Sequence, residues 1–220
     1  MRLTAALRSA ALKTSVMCAI AYHSFRGYFV GKRSGQDALL DYLSSHYLPH
    51  VLRILHFYGI SVTIEGDTDV LKDGALILAW HESMIDTIIA HHPRLGGRPA
   101  YLAKESLFKI PFFGACMRMA GMIPVKKGRL GADIIKLVAQ RLQEGRTVVV
   151  FVEGTRTPPP HHRVMPGTRL FISQAEKLGK PVLYAYFGEW HKIWGPKGTI
   201  LTASVGQVAV KIEPHDFPEA

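Results

Sequence analysis

The fold of this chain is decided by residues 75–86, Ala75-Leu76-Ile77-Leu78-Ala79-Trp80-His81-Glu82-Ser83-Met84-Ile85-Asp86. The apolar run 75–79 follows the turn Lys72-Asp73-Gly74, and this pattern predicts a buried strand that ends next to His81. Open α/β sheets bind their ligands beyond the carboxyl ends of the strands. The stretch therefore predicts a functional site at His81.

His81 and Asp86 stand five positions apart. If the residues after His81 form a helix, Asp86 can fold back to the imidazole, hold it in one tautomer and stabilise it once protonated. A zinc protease needs a second histidine where this chain has Ile85, so that motif is absent. The pair predicts either a general base with its orienting carboxylate or an ordinary hydrogen-bonded loop.

A second segment adds a charged loop to the end of another strand. The run 147–152, Thr-Val-Val-Val-Phe-Val, is typical of a strand buried on both faces, and it leads directly into Glu153-Gly154-Thr155-Arg156. Such a loop can offer a guanidinium and backbone N–H groups to a phosphate, at roughly 1.5–3 kcal/mol for each charge-assisted bond. A structural ion pair between Glu153 and Arg156 is the alternative.

Together these segments resemble the glycerolipid acyltransferases typified by 1-acylglycerol-3-phosphate (lysophosphatidic acid) acyltransferase. Residues 80–86 are similar to the family pattern N-H-x-S-x-x-D, and residues 151–157 to F-P-E-G-T-R-S. The intervening K-x-x-x-x-x-x-I-P-x-x-G and G-x-I-x-V-D-R patterns and the final G-x-P turn follow in order. They are carried by Lys104, Ile110-Pro111-Phe112-Phe113-Gly114, residues 121–127 and Gly179-Lys180-Pro181.

The chain departs from the family pattern at several positions. Trp80 replaces the usual Asn, Val152 replaces Pro and Thr157 replaces Ser. Lys126 and Lys127 stand where the family usually has Asp-Arg, and lysine keeps the positive charge but loses the bidentate fork. These changes bear on the choice of acceptor more than on acyl transfer itself.

The resemblance implies transfer of a fatty acyl group from a thioester donor, acyl-coenzyme A or acyl-carrier protein, to the hydroxyl of a lysophospholipid such as 1-acylglycerol-3-phosphate. By the same resemblance His81 is the base, Asp86 orients it, and no cofactor, metal or covalent nucleophile is expected. The acceptor's polar head would be held by Lys127, Glu153, Gly154, Thr155 and Arg156. Another lyso-lipid acceptor and a noncatalytic lipid-binding protein are the alternatives.

Charge distribution predicts a membrane surface with anionic phospholipids as a partner. The 27 basic residues exceed the 17 acidic ones, and residues 1–33 hold six basic residues and no acid. A second basic cluster is expected to face only Glu105 and comprises Arg94, Arg98, Lys104, Lys109, Arg118, Lys126, Lys127 and Arg129. Because no nucleic-acid-binding motif accompanies the charge, no nucleic-acid partner is expected.

The N-terminal region predicts attachment to one face of a membrane rather than a span. Its longest charge-free run, Thr14 to Phe25, has 12 residues, whereas a spanning helix needs about 20. We expect a monotopic anchor on a cytoplasmic membrane face, with an Arg-rich mitochondrial presequence as the alternative. The two cysteines, Cys18 and Cys116, predict no disulfide framework.

Periodicity predicts an α/β fold with a mostly parallel or mixed central sheet flanked by helices. Apolar residues every three or four positions from Leu39 to Tyr58 indicate a helix that Pro49 kinks or divides, on the membrane or in the core. Another helix is expected over 134–142. We expect residues 1–59 to form a basic, amphipathic helical region and residues 60–220 the acyltransferase domain. Strands are expected near residues 61–64, 75–80, 99–103, 121–125, 147–152, 181–187 and 207–212.

Overall fold

The computed structural model describes residues 2–126, 130–157, 164–188, 190 and 207–214 of the 220-residue chain. The α-helices in these residues are α1 Arg2–Tyr42, α2 Leu48–Phe57, α3 Ile85–Ile89, α4 Phe113–Met119, α5 Ala132–Gln143 and α6 Thr168–Lys177. The strands are β1 Ser61–Glu65, β2 Leu76–Ala79, β3 Ala100–Lys104, β4 Ile123–Val125, β5 Val148–Phe151, β6 Val182–Tyr186 and β7 Gln207–Pro214. Each strand predicted from the sequence is present, within a few residues of its expected ends.

The strands form one sheet in the order β1-β7-β6-β2-β5-β3-β4. The central strand β2 pairs in parallel with both β5 and β6, so that Ala79 lies opposite Phe151 on one side and Ala185 on the other. The pair β6 and β7 is antiparallel, and β7 runs parallel to β1. The predicted mostly parallel, mixed sheet flanked by helices is thus confirmed, and β2, β5 and β6 end at one edge.

Alternate residues of β2 and β5 divide the core between the two faces of the sheet. Ile77 and Phe151 face a cluster that includes buried residues of α1, α2 and α3, whereas Leu78 and Val150 face a cluster built on α5 and α6. Helix α5 confirms the helix expected over 134–142. The nearly continuous apolar sequence of β2 and β5 is explained by this burial on both faces.

The N-terminal helices pack on the first of these two faces. α1 leaves helical geometry at Gly35 (φ 84°, ψ −173°), and a π-helical turn over Leu43–Tyr47 separates α1 from α2. Pro49 lies in the first turn of α2, where its missing N–H is tolerated, so the predicted division is found next to it. The helical stripe predicted from Leu39 onward belongs to the core, since Leu39 and Val51 are fully buried.

A strained turn precedes α4. Phe112 has φ 57° and ψ −54°, and the N–H of Phe113 donates to the carbonyl of Pro111 at 2.6 Å. This is the rare positive-φ form of the γ-turn, and such a conformation costs a non-glycine residue about 1–3 kcal/mol. Gly114 follows, and a Cβ there would overlap the carbonyl of Phe108. The Ile-Pro-x-x-Gly pattern therefore encodes a tight, strained entry into α4.

None of the helices in the described part of the chain combines the length and the apolar character that crossing a bilayer requires.

Candidate active site

His81 and Asp86 meet at the carboxyl end of β2. Because α3 begins at Ile85, Asp86 lies in its first turn and points back to the strand end. Asp86 Oδ2 accepts three hydrogen bonds of 2.9 Å, from His81 Nδ1 and from the backbone N–H groups of Glu82 and Ser83. The fold-back of Asp86 onto the imidazole, predicted from the spacing, is confirmed.

This geometry sets the proton positions of the pair. Because Asp86 Oδ2 already accepts two backbone N–H bonds, the neutral imidazole of His81 donates to it from Nδ1 and keeps a lone pair on Nε2. Burial raises the pKa of Asp86, while the bonds from His81, Ser83 and Glu82 act in the opposite direction. The Asp86 side chain is fully buried and that of His81 is 16% exposed, so the pair reaches solvent only at the imidazole.

The end of β5 supports the imidazole. The ring of Phe151 stacks on that of His81 with centroids 4.0 Å apart and planes 23° apart. The N–H of Thr157 donates to the carbonyl of His81 at 2.8 Å. Neither contact is predicted from the motifs, although Phe151 is the one aromatic residue of a β-branched run, and that exception in the pattern is a signal for it.

The loop Glu153-Gly154-Thr155-Arg156 lies between Phe151 and Thr157 and is therefore held beside His81. Gly154 has φ 64°, its N–H donates to the carbonyl of Phe151 at 3.0 Å, and a Cβ there would overlap the sulfur of Met165. Arg156 is exposed in this loop.

The opposite face of the strand ends carries Trp80 and Tyr184, whose rings meet edge-on at 6.3 Å. Burial is the largest cause that raises the pKa of Tyr184, followed by Tyr186 and by the carboxylates of Glu153, Glu213 and Glu82. Tyr184 therefore stays protonated and neutral near the acidic side chains of both motifs.

The second basic cluster predicted from the sequence does not form one free face. Arg98 binds Asp37 at 3.0 Å and Asp41 at 2.8 Å, so the expectation that the cluster meets only Glu105 was wrong. Two further arginines of the cluster donate to backbone carbonyls, Arg94 to that of Ile64 and Arg118 to that of Phe108. These partners could not be recognised from the sequence, because Asp37 and Asp41 lie about 60 residues before Arg98.

The lysine pair is described only in part. Lys126 Nζ lies 3.8 Å from Glu105 Oε1, and both side chains are largely exposed. Lys127 and Arg129 lie outside the described residues. The structure thus brings His81, Asp86 and the Glu153–Arg156 loop to one edge of the sheet, and gives no position for Lys127.

Comparison with known families matches the acyltransferase family model to residues 61–187. This range contains β1 to β6 and both motifs, and it covers more than half of the chain.

Curated relatives share shorter stretches. The chain is 36% identical over 87 residues to a 1-acyl-sn-glycerol-3-phosphate acyltransferase of Helicobacter pylori, covering 37% of this chain and 35% of that protein. It is 29% identical over 110 residues to a chloroplastic 1-acyl-sn-glycerol-3-phosphate acyltransferase of Arabidopsis thaliana, covering 48% and 30%. The matched stretches thus span about a third of the length of these relatives.

A solved structure extends the likeness to nearly the whole chain. The crystal structure of the 1-acyl-sn-glycerophosphate (LPA) acyltransferase PlsC from Thermotoga maritima superposes with a TM-score of 0.67 at 25% identity. The superposition covers 98% of this chain and 88% of that one, and so includes the N-terminal helices.

Proposed function

The chain belongs to the acyltransferase family, and from that premise we propose that it transfers a fatty acyl group from a thioester donor to the hydroxyl of a lysophospholipid, with 1-acylglycerol-3-phosphate as the acceptor. This is the family that the sequence motifs resemble. The observation that carries the proposal is the His81–Asp86 pair, with Nδ1 bound to a buried carboxylate and Nε2 left as an acceptor at the carboxyl edge of the sheet.

The reaction follows from these groups. His81 Nε2 takes the proton of the acceptor hydroxyl as its oxygen attacks the thioester carbonyl carbon, and the carbonyl oxygen becomes an oxyanion. Asp86 stabilises the imidazolium formed in this step. When the intermediate collapses, the carbon–sulfur bond breaks and the imidazolium returns its proton to the thiolate. A positioned base of this kind contributes about 10²- to 10⁴-fold in rate.

Acceptor recognition is assigned to the loop beside His81. Arg156 is exposed next to the pair, and a guanidinium binds a phosphate in bidentate fashion. By family resemblance Glu153, Gly154, Thr155 and Lys127 complete this head-group site. Because Lys126 and Lys127 replace Asp-Arg, a different lyso-lipid is the second candidate acceptor.

The setting proposed for this reaction is a membrane surface. Both the acceptor and the product are bilayer lipids, and residues 1–33 are basic and free of acid. We assign the protein to the cytoplasmic face of a membrane as a monotopic enzyme, with acyl-coenzyme A or acyl-carrier protein as the donor and with no cofactor.

Acyl transfer by the purified full chain in detergent micelles tests the proposal. Labelled acyl-coenzyme A and acyl-carrier protein are offered to a panel of lysophospholipids and glycerol-3-phosphate, with His81→Ala beside the wild type. His56, an exposed histidine on α2, supplies the matched variant His56→Ala.

We expect product from 1-acylglycerol-3-phosphate with wild type and His56→Ala, and none above background with His81→Ala. Product from another lyso-lipid only would correct the acceptor and keep the mechanism. A folded wild-type protein that binds lipid but turns over neither donor would contradict the proposal and favour a noncatalytic lipid-binding protein.

A further inference from the structure

The amino edge of the sheet, at the opposite end of the strands from His81, holds a buried arginine. Arg146 lies just before β5 and is only 6% exposed. Its guanidinium donates from Nε to the carbonyl of Arg98 and from Nη2 to the carbonyls of Pro99 and Ala120. Because these carbonyls come shortly before β3 and β4, Arg146 ties together the starts of three parallel strands.

The remaining nitrogen of this guanidinium is unused by the fold. Arg146 Nη1 is buried and donates to no atom of the described residues. Buried donors in native proteins are almost always paired, with the protein itself or with a bound species. Nη1 therefore marks a place where a species from outside these residues can bind.

Gly121 leaves room in front of Nη1. A Cβ at this buried glycine would lie 2.5 Å from Arg146 Nη1, 2.7 Å from Gln36 Nε2 and 3.0 Å from Arg141 Nε. Arg141 Nε is already bound to the carbonyl of Gly121 at 2.9 Å, so the donors that converge on this room are Nη1 and Nε2. Gln36 is exposed and forms the outer side. An acceptor the size of one atom, seated beside Gly121, can bind both nitrogens.

The charges around Arg146 favour an anion as that acceptor. The arginines beside it, Arg98 and Arg141, have carboxylates of their own at 2.7–3.0 Å, namely Asp37, Asp41 and Glu144. Arg146 has none at ion-pair distance in the part of the chain that the structure describes. The two aspartates are 82% and 63% exposed, so water screens their charge. A buried charge without a partner is costly, and an anion at Nη1 offsets that cost.

Protonation states agree with this view. Burial is the largest cause that lowers the pKa of Arg146 from 12.5 to about 10, and Arg141 is the next. The guanidinium therefore stays charged at neutral pH. His91, also buried near it, is neutral, because burial and then Arg146 lower its pKa to about 3. The buried cation of this edge is thus Arg146.

We propose that the amino edge binds one halide-sized inorganic anion, chloride, between Arg146 Nη1 and Gln36 Nε2. The room left by the missing Cβ of Gly121 suits a single atom better than a phosphate or a carboxylate. The site goes beyond the function proposed above, because it lies at the other end of the strands from His81 and stabilises the fold without taking part in acyl transfer.

Thermal unfolding of the full chain in detergent micelles tests the site, with chloride replacing gluconate at constant pH and ionic strength. We expect the melting temperature to rise by about 3–5 °C and then to level off, because a ligand that binds only the folded state stabilises it. Bromide is expected to act in the same way. Crystals grown in bromide should show an anomalous peak at hydrogen-bond distance from Arg146 Nη1.

Gln36→Glu supplies an anion from the chain itself. We expect this variant to melt in chloride-free buffer about as high as wild type does at saturating chloride, and to respond no further to halide. Gln174→Glu on α6 changes the net charge by the same amount and should keep the halide response of wild type.

Gly121→Ala closes the room beside Nη1. Both this variant and its control, Gly179→Ala, lose stability through a positive φ, which is 72° at Gly121 and 62° at Gly179. A Cβ at Gly179 would touch nothing within 4 Å. We therefore expect Gly179→Ala to keep the rise in melting temperature with chloride and Gly121→Ala to lose it.

Two outcomes would overturn the anion site. One is a wild-type melting temperature that ignores halide at constant ionic strength, which would mean that water, or a turned Gln36 amide with Oε1 towards Nη1, completes the guanidinium. The other is an undiminished halide response in Gln36→Glu, which would place the anion elsewhere. Because unfolding needs no turnover, neither outcome depends on the acyltransferase activity.

Discussion

The carboxyl edge of the sheet and the exposed aromatic cluster of Phe25, Phe29 and Phe112 depart in opposite ways from the usual distribution of residues between core and surface. At the edge, the carboxylate of Asp86 is completely buried, whereas on the surface, Phe25 and Phe112 are more than 40% exposed. Buried charges and clustered exposed aromatic residues are both rare unless something compensates them.

The contacts that stabilise the buried carboxylate differ from those that cover the exposed rings. Three hydrogen bonds inside the chain compensate Asp86 Oδ2, whereas the buried Oδ1 has no hydrogen-bond partner among the described residues. The aromatic rings cover one another only partly, since Phe25, Phe29 and Phe112 remain 39–48% exposed. The first region is therefore expected to respond to changes in hydrogen bonding.

The largest effect is expected from Asp86→Asn. The carboxamide can still accept a bond from His81, but it cannot stabilise the imidazolium, so kcat is expected to fall about 10²- to 10⁴-fold. Steady-state acyl transfer measures this loss. Flotation on anionic vesicles is expected to be unchanged, and a parallel loss of vesicle binding would show that the two regions are not independent.

Phe151→Leu tests whether the ring that stacks on His81 is needed to orient the imidazole. The bond to Asp86 fixes one atom of the His81 ring and the stack on Phe151 fixes its plane, so losing the flat partner misdirects Nε2. We expect kcat to fall about ten- to a hundredfold with KM for the donor unchanged. Phe187→Leu is the control, since the buried ring of Phe187 lies 6.2 Å from that of Phe151 and, within the described part of the chain, makes no ring contact with His81.

Proton resonances of the His81 imidazole give a second readout of the same change. Phe151 is expected to shift them upfield through its ring current, and Phe151→Tyr to keep both this shift and turnover. A wild-type kcat for a folded Phe151→Leu would mean that the stack does not position the base.

Gly154→Ala probes the loop beside His81 at smaller magnitude. The positive φ costs about 1–2 kcal/mol of unfolding free energy, and the new Cβ adds an overlap with Met165. Gly179→Ala is matched, because Gly179 has φ 62° and a Cβ there would touch nothing within 4 Å. Denaturant unfolding should show the larger loss for Gly154→Ala, and only that variant should lower turnover. Equal losses of unfolding free energy in the two variants would mean that the Met165 side chain moves aside at no cost.

The smallest expected effect is a pH dependence of stability that arises from His23 on α1. His23 binds Tyr42 Oη at 2.7 Å and His50 Nδ1 at 2.9 Å, and so ties α1 to its own last turn and to α2. Burial first, and then His50, His46 and Arg26, lower the pKa of His23 from 6.5 to about 4. The unfolded chain therefore takes up this proton more readily, and stability falls as the pH drops from 6.5 towards about 4.

His23→Gln is expected to flatten this fall. Its melting temperature should drop less than that of wild type, by a few degrees, between neutral pH and about pH 5. His91, whose pKa burial lowers to about 3, contributes in the same direction and is unchanged in this variant. An identical pH dependence of the two proteins would mean that His23 is not the group responsible.

Much of the fold could be predicted from the sequence because strand burial leaves a local signal. The runs that form β2 and β5 are apolar without interruption. The approach of Asp86 to His81 depends only on their five-residue spacing and on the start of α3 at Ile85. The stack of Phe151 on His81 could not be read in this way, because it depends on the register between two strands 70 residues apart.

Long-range partners explain the remaining differences. The basic cluster looked unopposed in sequence, but α1 brings Asp37 and Asp41 to Arg98. The exposed aromatic cluster was not predicted, because Phe25 and Tyr28 meet Phe112 only after α1 packs on α4. Local pattern thus predicted the strands and the contact between His81 and Asp86, whereas the aromatic cluster depends on tertiary packing that has no local signal.

The proposed base, His81, is expected to act in acyl transfer and to play no part in holding the protein on its lipid substrate. Acyl transfer and vesicle flotation of wild type and His81→Ala, measured on one phosphatidylglycerol-containing vesicle preparation, separate these two roles. We predict that His81→Ala floats like wild type and gives no product above background. Turnover by His81→Ala at the wild-type rate would contradict the role of His81 as the base.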